Sequence, residues 1–182
     1  MTDSGPRRIG VSIELKPHAY DPETSPELFE GVLARRLIAF LIDLVILATP
    51  IVLGAIFIVA STVVTLGLAG ILFALLSPLY WPLIVIWGIC YYGFTFGSPA
   101  SATIGMRVMD LEMRTWYGSP AYFVLGAVHA VVFWVTISFI WPATLLLGFF
   151  NSRRRLPHDM LVGTIVISNP ARARTVRETS QS

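Results

Sequence analysis

The sequence is short of charge. Asp, Glu, Lys and Arg make up 13% of its 182 residues, where a soluble domain carries about a quarter. The deficit falls in two blocks. Between Leu44 and Met106 there is no charged side chain, and Ala121–Phe150 has none either. Apolar runs of that length exclude an ordinary soluble fold and read as membrane-spanning segments. There is one cysteine, Cys90, so no internal disulfide can form and the thiol reads as a small packing residue. Lys16 is the only lysine, and the net charge of +2 is too small to suggest nucleic acid. Residues 1–30 lack the apolar core and small-residue cleavage site of a signal peptide. No P-loop, dinucleotide fingerprint or nucleophile–base motif is present, so an enzyme is not expected. The three histidines and one cysteine show no ligand spacing, so neither a metal nor another cofactor is expected.

What is present can be taken in chain order. Residues 1–24 mix charge, Pro and Gly and read as a flexible tail, with a short alternating stretch at Ile9–Leu15. Ser25, Pro26 and Glu27 are a helix start by capping, ring geometry and dipole. Leu28, Phe29, Val32 and Leu33 then lie against the membrane surface. Leu37–Ala60 is long enough to span, with a bend at Thr49–Pro50. Positions 36, 39, 43, 47, 50 and 54 share a face that packs on other helices. Ser61 to Gly70 supplies the turn. A second span, Ile71–Phe96, is kinked by Pro78 and Pro82, and Tyr91 and Tyr92 fit an interfacial aromatic belt.

After the second span the chain turns polar. Met109–Thr115 alternates at strand period, with helical spacing at Ile104, Val108 and Leu111 in competition. Ala121–Phe150 is a third apolar segment, either one tilted span or a re-entrant hairpin. Leu156–Ser168 ends in a β-prone stretch that pairs with the earlier alternating one. The expected fold is therefore an all-α membrane bundle with a short surface β-ribbon near 107–115 and 163–168. Residues 25–168 form its domain, and 169–182 form a disordered Arg-rich tail. Basic residues at 35/36, 107/114 and 153–155 place all three groups, with the N-terminus, in the cytoplasm if the third segment is a hairpin, and a single tilted span instead leaves 153–155 outside.

The chemistry centres on buried ionisable groups. Asp43 lies about 9 Å beyond Leu37 along a helix. An acid at that depth needs a partner, a cavity or a task. It reads either as a protonatable carboxylate on an ion path or as an anchor paired with Arg36, one bent side chain away. His129, about 12 Å into the third segment, reads as a relay beside Asp43 or as a histidine bonded to a neighbouring helix backbone. Asp159, beside His158, is expected to bridge Arg107 or Arg153–155. Arg153–155 either contact anionic lipid or simply flank a span.

Three stretches together carry a resemblance: ARRLIAFLID (34–43), SATIGMRVMDLEMR (101–114) and RRRLPHDMLVGTIVI (153–167). In this order and spacing the chain resembles the RDD family of membrane proteins, named for one Arg and two Asp. The match assigns these to Arg36 (with Arg35 as neighbouring candidate), Asp43 and Asp159. It adds Gly105, Arg107, His158, Gly163 and Thr164 as surface-motif positions. Met106 stands where many members have Lys, and the third segment offers His129 where many have Arg. The resemblance implies one of two roles. One is proton-coupled antiport of sodium or potassium through an intramembrane carboxylate. The other is a non-catalytic scaffold or assembly subunit, as a homo-oligomer or with a partner membrane protein. Either role sits in the bilayer of a bacterial inner membrane.

Overall fold

The computed structural model describes residues 20–150 and 153–171, with side chains for all except 140–149. The expectations for Ile9–Leu15 and for the tail beyond Ala171 fall outside the described residues. Pro26–Leu28 forms a separate 3₁₀ turn rather than the start of the long helix. Ser25 makes no side-chain cap bond there. Gly31, at φ +62°, breaks the chain before α1 (Val32–Val64) begins, a backbone state glycine adopts at little cost. α1 continues through Pro50 for 33 residues, about 50 Å of rise. Its buried positions are Val32, Arg35, Ala39, Asp43 and Leu47, one stripe at helical spacing.

A turn at Thr65–Gly67 reverses the chain into α2 (Leu68–Leu76), followed by a 3₁₀ turn at Ser77–Leu79 and α3 (Tyr80–Phe96). Pro78 thus splits the second arm in two. Pro26–Val64 and Leu68–Phe96 are both long and apolar enough to cross a membrane. Between Ile51 and Trp87 no residue is buried, and the two arms meet through contacts such as Phe57 on Phe73, 6.2 Å between ring centres, and Trp87 Nε1 donating to Leu47 O.

α4 (Ile104–Val108) follows, capped by Thr103, whose hydroxyl accepts from the Met106 amide. The ribbon is therefore shorter than expected, because Arg107 and Val108 are helical. β1 (Leu111–Thr115) pairs antiparallel with β2 (Thr164–Ser168), Leu111 opposite Ser168 and Thr115 opposite Thr164. Gly163 caps a helix rather than opening the strand: α6 (Pro157–Val162) precedes it. The ribbon is also no surface element. Leu111, Met113, Ile165 and Ile167 are at most 2% exposed. Phe29 packs on Ile165 and Ile167, so Phe29 and Val32 are buried against the ribbon instead of lying on the membrane surface.

The third apolar segment is one helix, α5 (Phe123–Phe150), rather than two limbs of a hairpin. It packs on α3 through glycine. A Cβ at Gly126 would meet Phe96 Cβ at 2.6 Å and one at Gly93 the Phe123 ring at 2.7 Å. Small residues at such crossings let helix backbones approach closely. Nine residues past the end of α5, Asp159 lies 3.8 Å from His129 in the second turn of that helix. The chain has thus returned to the end where α5 began, and Arg36 and Arg155 both bond to Asp159 there.

Candidate functional site

Asp43 is 3% exposed and does not face lipid. Its carboxylate accepts three hydrogen bonds. Tyr91 Oη donates to Oδ1 at 2.5 Å, Thr103 Oγ1 to Oδ2 at 2.6 Å, and the Gly105 amide to Oδ1 at 2.8 Å. Tyr91 and Tyr92 are thereby buried, not part of an interfacial belt. α4 lies so close to α1 that a Cβ on Gly105 would overlap the Ala39 carbonyl and sit 2.9 Å from Asp43 Oδ1. A segment beyond the second span thus closes over the acid of the first.

Arg36 pairs with Asp159, 123 residues on, and not with Asp43. The contact is bidentate, Nη1 to Oδ2 at 2.6 Å and Nη2 to Oδ1 at 2.9 Å, the strong geometry for guanidinium and carboxylate. Two of the partners expected for Asp159 act otherwise. Arg107 donates to Ala102 O and Ser98 Oγ. Arg155 donates to the backbone oxygens of Asp159 and Thr164, and its guanidinium lies 4.3 Å from the Trp116 ring centre. Arg35, treated only as a neighbour in the sequence, ties α1 to the ribbon by donating to Met109 O, Glu30 O and Ser168 Oγ.

His129 Nδ1 lies 3.2 Å from Thr164 Oγ1 and its Nε2 faces Asp159 Oδ1. Its partners are a strand hydroxyl and the second carboxylate, neither a helix backbone nor Asp43. His158, 1% exposed, places Nε2 3.4 Å from Arg36 Nη2 and 3.5 Å from Asp159 Oδ1. Histidines scattered in sequence thus meet in space. His129, His158 and Asp159 offer three ligand atoms within 4.8 Å of one another. Arg36 Nη2 stands among them and supplies the positive charge a metal would bring.

Burial alone would raise the Asp159 carboxyl, but Arg36 and the flanking imidazoles hold it well below the usual range. Burial pushes the His158 imidazole down to about 4, with Asp159 opposing and Arg36 adding to the shift. At neutral pH Asp159 is charged and His158 neutral.

The two clusters border one cavity of about 150 Å³. Arg36, Asp43, His129 and His158 all line it, beside Phe40, Phe133 and other apolar side chains. Asp43 and His129 therefore share a space without touching.

The family model described as RDD family matches residues 31–163. The chain belongs to the RDD family. No curated protein and no solved structure matches it. Family membership and the two long apolar helices fit a membrane protein. In this RDD protein the Arg and two Asp do not form one network. Arg36 and Asp159 make one fastening, and Asp43 makes another with Tyr91, Thr103 and Gly105, of which the sequence marked Gly105 only as a surface-motif position and Tyr91 only as an interfacial aromatic. The signals for those partners were local. Thr103 directly precedes the helical spacing of Ile104 and Val108.

Proposed function

We propose that this RDD protein is a non-catalytic membrane scaffold or assembly subunit in which Arg36, Asp43 and Asp159 are structural. The observation that carries this reading is the closed coordination of Asp43. Both of its oxygens are engaged by donors from α3 and the segment around α4. A carboxylate that couples ion movement has to exchange its ligands in each cycle. Here one donor is a backbone amide fixed against the Ala39 carbonyl by a glycine. Between Ile51 and Trp87 no residue of the arms is fully buried within the chain, which leaves apolar faces for lipid, a second copy or a partner membrane protein. The setting is a bacterial inner membrane, with the N-terminus and the clustered arginines in the cytoplasm.

Proton-coupled antiport of sodium or potassium is the second reading, favoured by the cavity that Asp43 and His129 share. Proteoliposomes separate the two. Wild type and Asp43→Asn are loaded with a pH dye and given sodium, potassium or lithium gradients, and folded yield is recorded. The scaffold reading expects no cation-driven proton movement from either protein and a lower folded yield for Asp43→Asn. Flux in wild type that vanishes in an equally well-folded mutant would overturn it.

A further inference from the structure

Neither fastening needs His129 or His158, yet both imidazoles turn the same nitrogen towards one carboxylate oxygen. His158 Nε2 lies 3.5 Å and His129 Nε2 3.8 Å from Asp159 Oδ1. The two rings meet edge to face, 5.1 Å between centres. A tetrahedral zinc ion with bonds of about 2.1 Å holds its ligand atoms about 3.4 Å apart. Both separations are therefore within about 0.5 Å of what such an ion requires. Two imidazoles and one carboxylate are also a donor set that suits zinc and cobalt, with one position left for water.

The surroundings support the same reading. Thr164 Oγ1 lies 3.2 Å from His129 Nδ1. The hydroxyl can take the Nδ1 hydrogen and leave Nε2 free as a ligand, as outer partners of metal-bound imidazoles do. The Leu156 amide donates to Asp159 Oδ2, which steadies the carboxylate while Oδ1 faces the rings. The place of an ion is taken by Arg36 Nη2, 2.9 Å from Oδ1 and 3.4 Å from His158 Nε2. Arg36 lines the same cavity as His129 and His158, so its side chain has space to turn into.

We propose that His129 Nε2, His158 Nε2 and Asp159 Oδ1 bind one divalent ion of the zinc class, which takes the place of the Arg36 guanidinium. The ion ties α5 to α6 and releases α1 from its clasp on α6. The site thus exchanges one cation for another, and Arg36 competes with metal for Asp159. The proposal stands apart from the scaffold reading, because binding is measured without flux or partner.

The test titrates the full chain in detergent, carrying no polyhistidine tag and stripped with chelator, with cobalt(II) and then zinc(II). Wild type should take up one cobalt ion with the visible absorption of a four-coordinate centre, and zinc should displace it. His129→Gln should abolish that spectrum. Thr164→Val, which removes only the outer hydroxyl, should weaken binding by about tenfold to a hundredfold. Arg36→Met removes the competitor, so it should bind more tightly than wild type, and zinc should raise its melting temperature by more. No cobalt spectrum from wild type would overturn the proposal, even if Arg36→Met bound metal, because the arginine would then exclude the ion. Binding that survives His129→Gln, or that is lost in His18→Ala or Cys90→Ala, would overturn it by placing the ion elsewhere. Equal affinities for wild type and Arg36→Met would overturn the competition. Should His129→Gln or Arg36→Met not fold, the wild-type spectrum and Thr164→Val decide, and unchanged affinity in Thr164→Val would overturn the site.

Discussion

Gly105→Ala sets two physical effects against each other. Alanine is the better helix former by about 1 kcal/mol, so on propensity alone the variant gains stability. The structure reverses the sign. A Cβ at position 105 overlaps the Ala39 carbonyl and lies 2.9 Å from Asp43 Oδ1. Relieving that overlap requires α4 to retreat by about 1 Å. The Gly105 amide bond to Asp43, now 2.8 Å, then passes out of hydrogen-bonding range. Thr103, on the same short element, moves with it. Each hydrogen bond to a charged carboxylate contributes roughly 1.5–3 kcal/mol. Losing two, against the propensity gain, leaves a net cost of about 2–5 kcal/mol. In a chain of this size that lowers the melting temperature by about 4–20 °C. The control is Gly88→Ala, where nothing lies within 4 Å of the new methyl; it should melt at or slightly above wild type. Both variants are followed by thermal unfolding in detergent, monitored by tryptophan fluorescence. Gly105→Ala melting together with Gly88→Ala would refute the reasoning, because the approach of α4 to α1 would then not limit stability.

Removing either partner of the Arg36–Asp159 pair should cost on the order of 3–5 kcal/mol. Arg36→Met with Asp159→Leu together should cost less than the two single changes summed, and additive melting shifts would contradict a coupled pair. His158 has a folded pKa of about 4 against about 6.5 unfolded, so the unfolded chain binds the extra proton between those values. Stability should fall as pH drops from 6.5 towards 4, by up to about 1.4 kcal/mol per unit, and this component should be missing in His158→Gln. A wild-type melting curve with the same pH slope as the variant would remove that role. Asp159 is depressed, so its contribution is present above about pH 3.9 and is lost below it. Gly126→Ala meets a Cβ, which cannot swing aside, whereas Gly93→Ala meets the outer atoms of the Phe123 ring. Gly126→Ala should therefore melt lower than Gly93→Ala, and the reverse order would place the close α3–α5 contact elsewhere.

Much of the architecture was legible because hydrophobicity and charge are local signals. The first charge-free block marked the two arms and the second marked α5, Gly67 and its neighbours marked the reversal, and alternation marked β1. The buried stripe of α1 followed from helical spacing through Ala39, Asp43 and Leu47. The pairing of charges was not legible. Arg36 lies one helical face from Asp43 and the Arg cluster directly precedes Asp159, so proximity in sequence favoured the wrong partners. The partners of Asp43 are a tyrosine hydroxyl, a threonine hydroxyl and a backbone amide, groups too common in apolar sequence to stand out. α6 was missed because Pro157 and Asp159 start a helix only six residues long, too short for a period to show. His129 and His158, 29 positions apart in sequence, come together only because the chain returns after α5.

The separation of the fastened residues has a consequence for how the chain is made. Asp43 meets Thr103 60 residues later and Arg36 meets Asp159 123 residues later. At about 5–20 residues per second of synthesis, the first contact becomes available roughly 3–12 s after its acid emerges and the second roughly 6–25 s after its arginine. Until Tyr91 follows Asp43 and Asp159 follows Arg36, the first helix carries one acid and one guanidinium whose partners are not yet translated. The insertion machinery or the lipid headgroups have to shelter both. The Asp43 closure comes first and fixes the first three helices. The Arg36–Asp159 clasp comes later, so it forms only once the chain has been translated through Asp159.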